Sequence, residues 1–195
     1  MAKTQPTDLN RLRVIITIII SILIFGLLFW NYFHGGVLSH HILDQKDLPA
    51  ISNWWSGLFL PVLTWILLGK IKNRIEKQTI TDSRYKSKMA SVFGRFSIGL
   101  AIGIILSVSF IYDYKPFLNN VLYLLLVLSF IVPIFFSEFI LGFVLGMTYT
   151  FGAILPTVFI LLMAALGFVT FKFIRPLIIK STKKFGNSAP ESSIR

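Results

Sequence analysis

Long apolar runs constrain the fold of this chain more than any other feature of its sequence. No charged residue occurs from Val14 to Phe33, and none occurs from Phe139 to Phe171. A helix of about 20 residues crosses the roughly 30 Å hydrocarbon core of a bilayer, where only helices and closed barrels satisfy their own backbone hydrogen bonds. Barrel strands alternate apolar and polar residues, and these runs do not. The sequence therefore predicts an all-α integral membrane protein.

The apolar runs divide into six predicted transmembrane helices. Glycine pairs, prolines and polar connectors separate them, and the helices cover about residues 12–33, 52–71, 90–112, 117–135, 137–153 and 155–174. The turn between the fourth and fifth helices carries neither a positive charge nor a glycine. Five spans, with a re-entrant fifth helix, therefore stay open as an alternative. The basic tail, residues 176–195, is predicted to be disordered.

The basic residues predict how the helices are oriented. Three lie before or in the first turn of the first helix, eight lie from Lys70 to Arg95, and six follow from Lys172 onward, whereas the two remaining loops contain only Lys46 and Lys115. By the positive-inside rule the crowded side is cytoplasmic. Both termini are then inside, and the loop of residues 34–51 is periplasmic or extracellular. The short loops favour a bacterial inner membrane.

This distribution also accounts for the net charge of +11. Basic residues at the cytoplasmic ends of helices set the topology and contact anionic lipids of that leaflet. The bilayer is thus the expected partner, and no nucleic-acid partner is needed. The chain has no cysteine, which excludes disulfides, thiolate metal sites and cysteine nucleophiles.

The loop after the first helix is the richest candidate site. All three histidines, His34, His40 and His41, fall there together with Asp44. Zinc and similar divalent ions bind imidazole and carboxylate ligands, so these four residues can form a metal site that generates hydroxide. The alternative, which the lack of a standard ligand spacing favours, is that the histidines contact lipid headgroups or cap helix ends.

Five further residues are candidates for ligand binding. Trp54, Trp55 and Tyr149 lie near the outer ends of predicted helices, where aromatic residues either anchor the helix in the interface or line a cavity. Asp113 is on the same side and either joins the histidine site or is an ordinary loop carboxylate. Glu138 is the only acid between Phe136 and Ile174. It is either an interfacial residue at a helix N-terminus or an intramembrane site for a coupling ion or a proton.

Two pairs of glycines stand four residues apart in the predicted third and fifth helices. Gly99 with Gly103 and Gly142 with Gly146 form the small-residue faces that allow membrane helices to approach closely. The simplest expectation is that they pack these two helices within the bundle. A homodimer through either face is the alternative.

Three functional classes remain open from the sequence. The favoured class binds or transports a small solute or lipid through a cavity open to the outer face near residues 34–55, because every histidine lies there. The second is a membrane-embedded, metal-dependent enzyme that acts on a lipid with the same His/Asp cluster. The third is a non-catalytic subunit of a membrane complex. Scarce buried charge argues against ion-coupled transport and, more weakly, against catalysis.

Overall fold

The computed structural model describes residues 6–36, 39–41, 50–77, 82–174 and 176. Its helices and strands follow in chain order: α1 (Pro6–Phe33), β1 (Ser39–His41), β2 (Ala50–Ser52), α2 (Trp54–Glu76), α3 (Asp82–Ile111), α4 (Lys115–Leu118), α5 (Val121–Ile131), α6 (Ser137–Phe151) and α7 (Ile154–Val169). A π-helical turn, Thr170–Ile174, continues α7. The two short strands form an antiparallel hairpin. The protein is thus built almost entirely of helices.

Four helical segments are long and apolar enough to cross a membrane within the described part of the chain. They are Leu9–Phe33, Trp54–Glu76, Tyr85–Ile111 and Ile154–Phe173. Many large apolar side chains on them are exposed, for example Ile22, Leu58 and Leu162, as expected for surfaces that face lipid. These features indicate a multi-pass membrane protein.

The helices differ from the sequence prediction mainly around the basic connector of residues 70–88. We expected helices over 52–71 and 90–112, but α2 continues to Glu76 and α3 begins at Asp82. The reason is visible on α2, where Ile71 and Ile75 are both buried and lie on one face because they are four residues apart. The connector is therefore largely helical.

The predicted fourth helix, residues 117–135, is interrupted. Asn119 and Asn120 form a turn between α4 and α5, and asparagine favours such turns over helix interiors. At the other end α5 stops before Pro133, because the residue preceding a proline disfavours the helical conformation; Val132 is extended. The 11 residues of α5 measure roughly 16 Å, and the 15 residues of α6 roughly 22 Å.

α6 is the central helix of the bundle, and it packs most closely against α3. The two glycine pairs face each other: an added Cβ at Gly142 would overlap the carbonyl oxygen of Phe96, and one at Gly99 would overlap that of Phe139. Gly103 and Gly146 make equally tight contacts one turn further along. The expected packing of these helices within the bundle is therefore confirmed. A homodimer through the same glycines stays a prediction.

Contacts between α1 and α2 show that these two helices run in opposite directions. At one end Lys72, near the C-terminus of α2, donates a hydrogen bond to the side-chain oxygen of Asn10 on α1 at 2.6 Å. At the other end the rings of Tyr32 and Trp54 meet edge to face. We call the first the basic end, because the C-terminal part of α2 and the N-terminal part of α3 meet there, and the second the hairpin end, because it adjoins β1 and β2.

The turn between α6 and α7 is fixed at the hairpin end by the start of α2. The buried hydroxyl of Ser56 accepts a hydrogen bond from the Ala153 N–H at 2.8 Å. Gly152 has a φ of 70°, a left-handed conformation that favours glycine. A Cβ there would also overlap the side-chain oxygen of Asn53. The C-terminal end of α6 is thereby tied to the start of α2.

Candidate anion-binding pocket

The sequence predicted a site at the hairpin end, and His34 is the histidine whose side chain the structure describes. It lies in the turn after α1, where its ring stacks on Trp30 with 3.9 Å between centroids. Its Nδ1 atom is 2.9 Å from the Trp30 carbonyl oxygen. His34 therefore packs on the end of its own helix.

The other proposed metal ligands cannot be placed in the same way. The backbones of His40 and His41 pair with Ile51 and Ala50 in the hairpin, while their side chains and the whole of Asp44 lie outside the described residues. In the described part of the chain, no three His, Asp or Glu side chains come together in a group that could hold a metal ion. The zinc site stays a prediction.

The remaining hairpin-end candidates are exposed. Trp54 and Trp55 begin α2 with exposed side chains, and Tyr149 is exposed on α6. Asp113, which has a φ of 49°, lies 3.4 Å from the Lys115 ammonium in an exposed turn. Within the described residues, no hydrogen bond, ion pair or ring contact joins Asp113 or Tyr149 to the tryptophans. Exposed aromatic residues at this level fit interfacial anchoring.

Glu138, by contrast, is the centre of a charged cluster at the basic end. It lies in the first turn of α6, as the interfacial interpretation expected, but its side chain is only 1% exposed. The Nη2 atom of Arg74 on α2 donates to both carboxylate oxygens, at 2.7 and 2.8 Å. The Nε atom of Arg95 on α3 lies 2.8 Å from Oε1 as a second ion pair. Three helices therefore meet at one carboxylate.

Phe136 sets the positions of both arginines. It precedes α6, and each guanidinium carbon lies 4.4 Å from the centre of its ring. Arginine over an aromatic face is attracted by the ring quadrupole. The arginines are therefore held from two directions, by the carboxylate of Glu138 and by the ring of Phe136.

An open pocket of about 190 Å³ lies beside this cluster. We call it the basic pocket. Its lining combines three cationic side chains with three apolar ones: Arg74, Lys88, Arg95, Ile75, Val92 and Phe136. Lys88, Val92 and Arg95 are spaced at i, i+4 and i+7, which places them on one face of α3. Glu138 does not line the pocket, although it contacts both lining arginines.

The basic pocket carries an excess of positive charge. The pocket lining contains three cations, and the adjacent Glu138 supplies one negative charge. Two positive charges are therefore left unbalanced. Among the described residues, Lys88 forms no ion pair. It is half-buried in the pocket lining. A pre-formed concave site with unbalanced cations and an apolar wall is suited to the anionic group of an amphiphile.

Sequence reasoning identified Glu138 but missed its partners. Arg74 is 64 residues away in the chain, and no local periodicity links it to α6. The available signal was the i, i+4, i+7 spacing of Lys88, Val92 and Arg95, which marks a helical face with cations at both ends. The predicted third helix begins only at about residue 90, so Lys88 falls outside it and this face is incomplete in the prediction.

The chain was also compared with profiles of protein families, with curated proteins and with solved structures, and none of them matches it.

Proposed function

We propose that this chain is a multi-pass membrane protein that binds an anionic lipid through the basic pocket. The observation that carries the proposal is the lining itself, which joins Arg74, Lys88 and Arg95 to the apolar side chains of Ile75, Val92 and Phe136. An anionic lipid presents the matching combination, a charged headgroup connected to apolar acyl chains. A soluble anion would make no use of the apolar wall.

The position of the pocket in the bundle supports a lipid ligand. Arg74 lies two residues before the end of α2, and Arg95 lies just before the most apolar part of α3. Both residues are thus at the level where a transmembrane helix leaves the hydrocarbon region and meets the headgroups. Lysine and arginine clusters at this level attract anionic headgroups, each residue contributing about 1 kcal/mol near the surface.

In the proposed topology the basic end faces the cytoplasm of a bacterial inner membrane, and the chain crosses that membrane six times. The charge distribution favours this orientation. The six crossings are supported by the ends of α6: its first turn contacts Arg74 at the basic end, and its last turn is followed by Ala153, bonded to Ser56 at the hairpin end. α5 and α6 are short for a full crossing, which a locally thinned bilayer accommodates.

The functions that the sequence assigned to the loop near residues 34–55 stay predictions. These are solute or lipid passage from the outer face and metal-dependent lipid chemistry. Both depend on His40, His41 and Asp44, whose side chains lie outside the described residues. A role as a complex subunit is compatible with lipid binding and needs no separate site.

The test is a comparison of lipid retention by the purified full-length protein, measured by native mass spectrometry. Phosphatidylglycerol and phosphatidylcholine with identical acyl chains are offered in equal amounts, and we expect preferential retention of the anionic lipid. Lys88→Gln should weaken that retention about fivefold, since one cation near the surface contributes about 1 kcal/mol. Lys86→Gln makes the same charge change at an exposed position of α3 outside the pocket.

Two outcomes would overturn the proposal. The first is equal retention of the two lipids by the wild-type protein, which would show that the headgroup charge is not recognised. The second is an equal loss in the Lys86→Gln and Lys88→Gln variants, which would show that the charge of the whole surface, and not the pocket, attracts the lipid.

A further inference from the structure

We propose that the ligand of the basic pocket carries a phosphate monoester, so that the pocket prefers phosphatidate-type headgroups to phosphodiester headgroups. This inference rests on the proposed function and names the ligand class of the same site. It follows from the charge balance of the pocket, from the hydrogen-bond donors that remain available there and from the position of Glu138.

The charge balance favours a doubly charged anion. Arg74, Lys88 and Arg95 contribute three positive charges, and Glu138 cancels one of them. A phosphate monoester carries about −1.5 to −2 at neutral pH, because its second pKa is near 6. A phosphodiester has no second ionisable oxygen and carries a single negative charge. The monoester therefore matches the excess charge of the pocket, whereas a diester leaves one cation uncompensated.

The donors that remain available fit three terminal oxygens. Arginine has five N–H donors in a planar fork. The contacts with Glu138 are made by the Nη2 atom of Arg74 and the Nε atom of Arg95. Both arginines and Lys88 line the pocket, so the remaining guanidinium donors and the Lys88 ammonium group are its cationic part. Three separate cationic groups can thus each bind one terminal oxygen of a monoester, whereas a diester offers two such oxygens.

The position of Glu138 keeps its negative charge away from the ligand. Its side chain is 1% exposed, and it is not one of the residues that line the pocket. The carboxylate therefore pins the guanidinium groups without presenting an oxygen to an incoming anion. Such pre-arranged donors lose little conformational freedom when the ligand binds, which favours the small, rigid phosphate group.

The experiment is a competition on the full-length protein between phosphatidate and phosphatidylglycerol with identical acyl chains, read by native mass spectrometry. At about pH 8 the monoester is fully ionised, and we expect phosphatidate to be retained about fivefold more than phosphatidylglycerol because of its additional charge. At about pH 5 the monoester loses its second charge, and the two lipids should approach equal retention. Lys88→Gln should reduce the preference at the higher pH, while Lys88→Arg and Lys86→Gln should keep it.

A second arm separates the two sources of a phosphate monoester. Glycerol phosphate is added to the protein loaded with phosphatidate. Displacement of the lipid would identify a soluble monoester as a ligand of the pocket, and retention of the lipid would identify the membrane lipid. Either result agrees with monoester recognition.

The failures of the two proposals are distinguishable. Equal retention of phosphatidate and phosphatidylglycerol at both pH values, with both still weakened by Lys88→Gln, would overturn the monoester inference and leave anionic-lipid binding intact. Binding of glycerol phosphate without any Lys88-dependent lipid retention would overturn the proposed function and support the monoester. If Lys88→Gln weakened the binding of none of these ligands, both proposals would be overturned.

Discussion

The Nη2 atom of Arg74 lies within hydrogen-bond distance of both carboxylate oxygens of Glu138, although the two residues are 64 positions apart in the chain. This contact joins the end of α2 to the start of α6. A nearly buried carboxylate is costly unless a cation and hydrogen-bond donors compensate for its lost hydration. The pair therefore determines at which end of the bundle α6 begins.

We expect Glu138→Gln to destabilise the protein by roughly 3 kcal/mol, at the low end for breaking a buried ion pair because both arginines reach solvent. The amide removes the negative charge and leaves the guanidinium groups of Arg74 and Arg95 side by side. The shift in the midpoint of detergent-induced unfolding measures the effect.

Glu76→Gln is the matched control for that substitution. Glu76 pairs with Lys72 one helical turn earlier at 3.6 Å, and its side chain is 31% exposed. An exposed pair of this kind contributes at most about 0.5 kcal/mol. Equal destabilisation by the two variants would contradict the structural role assigned to Glu138.

We expect Gly142→Ala to destabilise the protein by about 3 kcal/mol, the upper range for overpacking. The added methyl group would overlap the Phe96 carbonyl oxygen, which belongs to the backbone of α3 and cannot rotate away. The helices must separate, so the unfolding midpoint should fall. At Gly94, also on α3, an added Cβ meets nothing within 4 Å. Gly94→Ala should therefore stabilise the helix by about 0.5–1 kcal/mol.

We expect Ser56→Ala to cost about 1–3 kcal/mol, because the buried N–H of Ala153 would lose its acceptor. The effect should also be local. Amide hydrogen exchange around the α6–α7 turn should accelerate more than exchange in α3. Ser91→Ala is the control, since the exposed Ser91 hydroxyl bonds only to the Ser87 carbonyl of its own helix. A similar loss in both variants would argue against the Ser56 bond as the tie that holds this turn.

The apolar runs predicted most of the helices because hydrophobic length and spacing are local properties of a sequence. The close packing of α3 and α6 could also be foreseen, since each Gly-x3-Gly pair marks a face on its own helix. The helical extension of α2 was missed, although Ile71 and Ile75 carry the spacing of a buried face. The sequence prediction ends this helix at residue 71, where the polar connector begins.

The basic pocket could not be assembled from the sequence, because its parts come from separate regions of the chain. Arg74, Lys88 and Arg95 each look like ordinary positive-inside residues. Only the fold shows that α6 brings a carboxylate between two of them. The turn before Glu138 had no positive charge of its own, which made it the least certain part of the predicted topology. In the structure, Arg74 of α2 and Arg95 of α3 place positive charge next to this turn.

The membrane topology can be tested directly by cysteine labelling, because the chain contains no cysteine of its own. In intact cells, a membrane-impermeant maleimide should label Lys115→Cys and leave Lys77→Cys unlabelled, because these exposed residues follow α3 and α2 at opposite ends of the bundle. Arg195→Cys distinguishes six spans from five. With six, the C-terminus is on the same side as Lys77 and reacts only after the membrane is opened.

We expect this protected result for Arg195→Cys, because the end of α7 returns to the basic end. There the ring of Phe168 packs edge to face on Phe135, with 5.3 Å between centroids. Phe135 lies in the turn before α6, three residues before Glu138, which binds Arg74. Labelling of all three variants after permeabilisation is the control for reactivity. External labelling of Arg195→Cys would instead support five crossings, and it would place the tail on the side opposite to the cations of the basic pocket.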